Sequence, residues 1–262
     1  MGSATTPLEQ LVDALRHGGV EIVDLTAPLS EQTPVIRLPA GHGQPWPFRR
    51  ELISRYDAGG PQALWSNISM SEHTGTHFDA PVHWISGRAL DDVSQVPAER
   101  LVAPAAVLDF SRAADTDPDF LLRREHVEEW QARHGALPDG GWLLYRTGWD
   151  ARVGDPAAFL NAGHTPGLAP DCAQYVAEET GVIGIGVETV GTDAGQAASL
   201  DPAFPCHWYF QGANKYGLTQ LQRLADLPRQ GTVLITAPLP IVGGSGSPTR
   251  VLALVDRAGR AA

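Results

Sequence analysis

A chain of 262 residues, 43% apolar and 19% charged, has an ordinary globular composition and is long enough for one large α/β unit or two small ones. Its formal charge of −11 argues against a nucleic-acid partner or an anionic membrane surface, because both demand basic patches. Two cysteines, Cys172 and Cys206, are too few for a disulfide framework, and no apolar run approaches the roughly 18 residues of a membrane span. A cytoplasmic, soluble protein is the expectation. The start Met1-Gly2-Ser3-Ala4-Thr5-Thr6 fits the N-myristoylation pattern, but that pattern is short and loose.

In chain order, residues 7–17 place Leu8, Leu11, Val12 and Leu15 at helical spacing and stop at Gly18-Gly19. Residues 20–27 read as a strand. Residues 31–61, rich in Pro and Gly and carrying Trp46, Phe48 and Tyr56, read as a long loop that either covers a pocket or merely connects. Strands are expected at 64–70, 105–110, 142–147, 182–187, 232–237 and 249–255, and helices at 120–134, 170–180 and 218–227. Residues 189–195 form a polar loop containing Asp193. Gly184 and Gly186 lack the strand–GxGxxG–helix context of a dinucleotide site, and residues 243–247 lack the Lys-Ser/Thr ending of a phosphate loop, so both read as structural. Strands outnumber helices in a mixed order. The expected fold is α/β of the mixed α+β kind, one domain over residues 1–262, and not a doubly wound sheet.

The densest chemistry lies in SEHTGTHFDAPVHW, residues 71–84, which packs His73, His77, Asp79 and His83 into eleven positions. Neutral imidazole nitrogen and anionic carboxylate oxygen together suit Zn²⁺, Mn²⁺ or Fe²⁺. A straight strand would hold His73 and His77 roughly 13 Å apart, at about 3.3 Å per residue. A helix would bring those two together but send Asp79 to the far side, and Pro81 would break it. A tight irregular loop remains, with Gly75 folding His73 toward His77 and Pro81 stiffening the path to His83.

Outside this stretch, His207 could complete a metal shell or hold substrate, or equally be a core imidazole. Gln211, Asn214, Lys215 and Gln220 could contact a polar substrate, although solvated surface positions are commoner for such residues. Trp65, Trp84, Trp208 and Tyr209 could wall an aromatic pocket or simply pack in the core. Cys206 beside His207 carries no nucleophile signature.

HTGTHFDAPVH resembles the HxGTHxDxPxH signature of the cyclase family of metal-dependent hydrolases, which includes bacterial kynurenine formamidase and isatin hydrolase. VDLT with PLS near residue 25, GVIGIGVETVGTD and the ending GGSGSPTRVLALV are similar to the family's opening strand, central strand and closing hairpin. The resemblance implies a swivelling β/β/α fold and a homodimer or higher homo-oligomer. It implies His73, His77 and Asp79 as metal ligands, His83 as the catalytic histidine, and His207 as the later histidine that helps hold a second zinc in the formamidase branch. That branch bridges its metals with a glutamate where this chain has Thr219, followed by Gln220. The departure favours one divalent ion, manganese before zinc, as in the isatin hydrolase branch.

The chemistry so implied is metal-assisted hydrolysis of a small cyclic or N-acyl amide, with water activated by the metal and His83 moving its proton. An aromatic substrate would account for the tryptophans. Four rivals stand beside it. One is N-formylkynurenine cleavage, and a second is a ring-closing enzyme on the same scaffold. Another is an Fe²⁺ oxygenase built on His77, Asp79 and His207. The last is a metal-binding module without catalysis, which would have no use for His83.

Overall fold

The computed structural model describes residues 5–257, so Met1 to Ala4 of the myristoylation-like start lie outside it. Thirteen strands are present among the described residues: β1 (Val20–Asp24), β2 (Arg49–Ser54), β3 (Trp65–Ser69), β4 (His77–Asp79), β5 (Val102–Asp109), β6 (Leu121–Leu122), β7 (Trp142–Arg146), β8 (Gly167–Leu168), β9 (Gly184–Val187), β10 (Tyr216–Thr219), β11 (Thr232–Thr236), β12 (Gly246–Pro248) and β13 (Val251–Asp256). The α-helices are α1 (Pro7–His17), α2 (Ser111–Thr116), α3 (Arg124–His134), α4 (Pro156–Leu160) and α5 (Pro170–Glu179). None is long and apolar enough to cross a membrane.

Nine strands form one mixed sheet in the order β1-β13-β11-β5-β7-β9-β10-β4-β12. Its centre, β5-β7-β9-β10, is parallel, and antiparallel pairs flank it on both sides. A parallel centre must be covered on both faces, and the period of two in β7 shows how. Trp142 and Leu144 enter one core with Val23, Phe78, Tyr216 and Leu234, while Leu143 and Tyr145 enter the other with Val127, Trp130, Val176 and Ile185. Helices α3 and α5 supply that second layer. The fold is therefore mixed α/β, as the pattern of elements predicts.

Local signals set several boundaries. Thr6 caps α1 through a reciprocal pair with Glu9, Pro7 opens it, and Gly18 closes it in the left-handed conformation at φ 76°. Four expectations need correction. Residues 218–227 are not a helix: β10 runs through Tyr216–Thr219, and only a 3₁₀ turn, Leu224–Asp226, follows. Pairing of β10 with β9 on one side and β4 on the other outweighs the local helical look. Residues 121–122 pair with β8, so α3 begins at Arg124. The long segment 31–61 contains β2, which forms a hairpin with β3 and leaves Leu52, Trp65 and Ile68 exposed. The ligand stretch is irregular only up to Thr76, because His77–Asp79 is a strand.

Glu188, just beyond β9, is fully buried. Its Oε2 accepts hydrogen bonds from the Thr147 amide (2.7 Å), the Thr147 hydroxyl (3.0 Å) and the Trp149 amide (3.1 Å). Oε1 has no partner. Burial pushes this carboxyl up to about 7, Asp150 adds to the rise, and the three hydrogen bonds oppose it. A folded-state value above the unfolded one means that ionisation penalises the fold. The contribution is full below about pH 4.5 and is lost as pH rises through about 7. Glu188→Gln should remove this dependence. In urea unfolding of metal-free protein, its advantage over wild type should grow from pH 5 to pH 8 by on the order of 3 kcal/mol. An equal difference at both pH values would show that Glu188 is not displaced.

Candidate metal centre

Strand β4 is three residues long and carries the centre. His77 and Asp79 leave it on one face and Phe78 on the other. Phe78 is fully buried, its ring 5.0 Å from Tyr216 and 6.1 Å from Trp142, which anchors the strand in the core. Upstream, Gly75 takes φ +71°, a left-handed turn that lets the chain double back; a Cβ there would sit 2.5 Å from Leu29 Cδ2. The turn brings the His73 ring to 5.1 Å from His77 and its Nδ1 to 2.8 Å from Asp79 Oδ1. Downstream, the 3₁₀ turn Pro81–His83 swings His83 back to stack on His73 at 4.0 Å.

Ligand atoms of His73, Asp79 and His83 lie within 4.8 Å of one another. His77 Nε2 stands 3.3 Å from Asp79 Oδ1 and so adjoins the same group. His77 Nδ1 donates to the Gly75 carbonyl at 2.7 Å, which puts the ring's lone pair on Nε2, 3.2 Å from the Thr219 hydroxyl. The Thr219 hydroxyl lies 2.9 Å from His77 Nδ1, across from it in the β10–β4 ladder. Two pairs further, Gly217 faces Asp79, and a Cβ there would come within 2.8 Å of Asp79 Oδ2. His73 Nε2 lies 2.9 Å from Ser245 Oγ, and that hydroxyl donates to Glu72 at 2.7 Å.

The charge balance suits a cation. Asp79 is 1% exposed. Burial would raise its carboxyl, but His77, and then the hydrogen bond from His73, outweigh it and hold Asp79 well below the carboxylate range. His83 goes the other way. Burial is the largest influence and, with His73, His207 and His77, lowers it to about 3 against the pull of Asp79. A buried anion beside a neutral imidazole, with N and O donors converging, fits a divalent metal of the Zn²⁺ or Mn²⁺ type.

Other candidate residues separate in space. His207 reaches the centre, 5.3 Å from the His83 ring and 4.8 Å from Trp84, and Trp84 also meets Phe204 at 5.2 Å. Trp65 lies exposed on β3 and Trp208 is 43% exposed, and neither makes a ring contact with the histidines. Gln211 and Gln220 are buried, each with an unpartnered Oε1; Gln220 Nε2 donates to the Pro34 carbonyl at 3.3 Å. Asn214 donates to Asp91, and Lys215 to the Thr180 carbonyl. Sequence reasoning gave no role to Ser245, Glu72 or Thr192. Asp193, the hydrogen-bond partner of His207, stood out only as an acid in a polar loop.

A family model described as "Putative cyclase" matches residues 23–194. The chain is 43% identical to an isatin hydrolase of Roseibium aggregatum over 98% of this chain and all of that protein. It superposes on the structure of isatin hydrolase A from Ralstonia solanacearum with a TM-score of 0.94 and 47% identity, covering 97% of this chain and 99% of the other. A kynurenine formamidase of Salinibacter ruber is more distant, 28% identical over 79% of this chain and 89% of its own. This chain belongs to the cyclase family of metal-dependent hydrolases. Within the family it is much more similar to these isatin hydrolases than to that kynurenine formamidase.

Loss of an outer partner of a metal ligand typically costs 10–100-fold in affinity, so loss of the anionic donor itself should cost more. Asp79→Asn is expected to weaken Mn²⁺ or Zn²⁺ binding by over about 100-fold, measured by equilibrium dialysis with metal analysis. Wild-type metal content in that variant would remove Asp79 from the ligand set.

Proposed function

We propose that the protein hydrolyses the ring amide of a small aromatic lactam, as its isatin hydrolase relatives do by name. The observation that carries this reading is the half-buried His83 imidazole, stacked on His73 at 4.0 Å beside the ligand set. We assign His73, His77 and Asp79 to the metal and His83 to proton transfer. When bound there, one divalent ion, Mn²⁺ in preference to Zn²⁺, would supply an acidified water and polarise the carbonyl. His83 takes a proton from the attacking water as a bond forms from its oxygen to the carbonyl carbon. The ring C–N bond then breaks, and His83 returns the proton to the departing nitrogen, leaving an amino carboxylate. Trp84, Phe204 and the adjacent His207 offer one wall for a flat aromatic ring.

Thr219 supports a single ion, since a hydroxyl cannot replace the bridging carboxylate that the resemblance implies for two-zinc members. We infer further that the whole chain is one catalytic domain, its main sheet drawing strands from Val20 to Asp256. A homodimer in the cytoplasm fits the exposed apolar β2–β3 hairpin and the unpaired buried Cys172 and Cys206. A solution mass of one chain by light scattering would remove the dimer.

The test is a spectrophotometric assay of isatin ring opening with metal-stripped protein refilled with Mn²⁺ or Zn²⁺, with N-formylkynurenine in parallel. Rapid Mn²⁺-dependent loss of isatin is expected. His83→Ala should lower turnover by about 100-fold or more while the metal stays bound. Intact turnover in that variant would refute His83 as the proton carrier. Turnover of N-formylkynurenine alone would move the protein to the formamidase activity, and inertness toward both amides with full metal would favour ring-closing chemistry.

A further inference from the structure

Asp193 lies in the loop after β9 and is 7% exposed. All of its hydrogen bonds go to one place. Oδ1 accepts from the Cys206 amide at 2.7 Å, and Oδ2 accepts from the His207 amide at 3.2 Å. Oδ2 also accepts from His207 Nδ1 in a very short contact. The two backbone bonds hold the entrance of a π-helical turn, His207–Gln211, a rare conformation that is frequent at functional sites.

Those two amide bonds are all that a structural cap requires. The third bond adds nothing to the chain trace. What it fixes is the imidazole itself, both its rotation and which ring nitrogen carries the proton toward Asp193. With Nδ1 committed, Nε2 is the one ring atom left to meet a ligand, and it points away from Asp193. The ring's other neighbours are His83 at 5.3 Å and Trp84 at 4.8 Å, the residues that border the proposed substrate position. The Thr192 hydroxyl, 3.5 Å from Nδ1, closes the same side of the ring as Asp193.

We propose that Asp193 is a positioning residue that holds His207 so that its Nε2 makes a hydrogen bond to the scissile amide group of the substrate, opposite the stacked His73–His83 pair. His207 is then the group that touches substrate, and Asp193 acts through it. The assignment rests on the hydrolase reading above for the identity of that amide, but the geometry of the pair stands independently of it.

A four-member cycle tests this with Mn²⁺-loaded enzyme and isatin: wild type, Asp193→Asn, His207→Ala and the double variant. Asparagine keeps an oxygen for the Cys206 amide but offers N–H to the ring. Asp193→Asn should lower kcat/KM by about 10–100-fold with metal content unchanged. In the His207→Ala background the same change should have less than about a twofold effect, because nothing remains to be positioned. Losses that multiply in the double variant, or wild-type activity in Asp193→Asn, would overturn the proposal and leave Asp193 as a cap. A measurement on wild type guards against variants that do not fold. In ¹⁵N-histidine NMR, His207 should carry its proton on Nδ1 with a low-field resonance, and a bare Nδ1 would overturn the proposal directly. If wild type turns over no amide while the Nδ1 proton is present, the hydrolase reading falls and the pair survives as a positioned ligand-binding arm.

Discussion

The structure turns on keeping one carboxylate charged where water cannot reach it. Asp79 is 1% exposed, and an isolated anion at such a place would simply take up a proton. Imidazoles prevent that: His73 bonds its Oδ1, His77 stands 3.3 Å away and His83 stacks on His73. Much of the local architecture follows from fitting these bulky rings around one short strand. Gly75 must turn in the left-handed region to return His73, and Gly217 must lack a side chain to leave room for Asp79. Phe78, facing the opposite way into a core of Tyr216 and Trp142, keeps three residues of strand from shifting under the strain of crowded polar groups.

How far this could be read from the chain depends on the range of the interactions. Residues 73–83 are neighbours in sequence, so their convergence follows from spacing, a glycine and a proline, and the structure brings all four side chains together. Local periodicity likewise locates α1, α5 and the strands β5, β7 and β9. Failures occur where a distant partner decides. Strand β10 looks helical alone and is a strand because β9 and β4 flank it. Strand β4 was obscured because its ladder partners, β10 and β12, lie about 140 and 170 residues later, a separation no local pattern encodes. Ser245 lies in a glycine-rich connection that reads as structural only, yet its hydroxyl reaches His73. Asp193 has no local signal because its meaning lies entirely in its bonds to residues 206 and 207.

Three buried carboxylates near the ends of the parallel strands show how differently one chemical problem can be solved. Asp79 is surrounded by imidazoles and stays ionised. Asp193 spends both oxygens on two amides and a ring nitrogen. Glu188 gives three bonds to one oxygen and leaves the other without a partner, and its carboxyl rises to about 7. The first arrangement suits a cation and the second suits orientation of a neighbour. The third suits neither, since its accepted bonds come from Thr147 and Trp149 and none comes from an imidazole. Burial of an acid is therefore a poor marker of function by itself; the identity of the donors around it carries the information.

That distinction bears on why the centre draws on so many segments. His73 to His83 provide the donors, but Thr219 comes from β10, Ser245 from the turn before β12, and His207 from the π-helical turn held by Asp193. Each of these reaches a side chain of the 73–83 stretch or its ring neighbours from a different part of the sheet or its loops. A site assembled this way cannot form before the nine-stranded sheet closes around β4, because β4 is paired on both sides by strands from the last quarter of the chain. On the proposed ligand set, metal binding and completion of the sheet would be coupled: an ion held by His73, His77 and Asp79 would stabilise the strand that the ladder needs, and the ladder would fix the spacing that the ion needs.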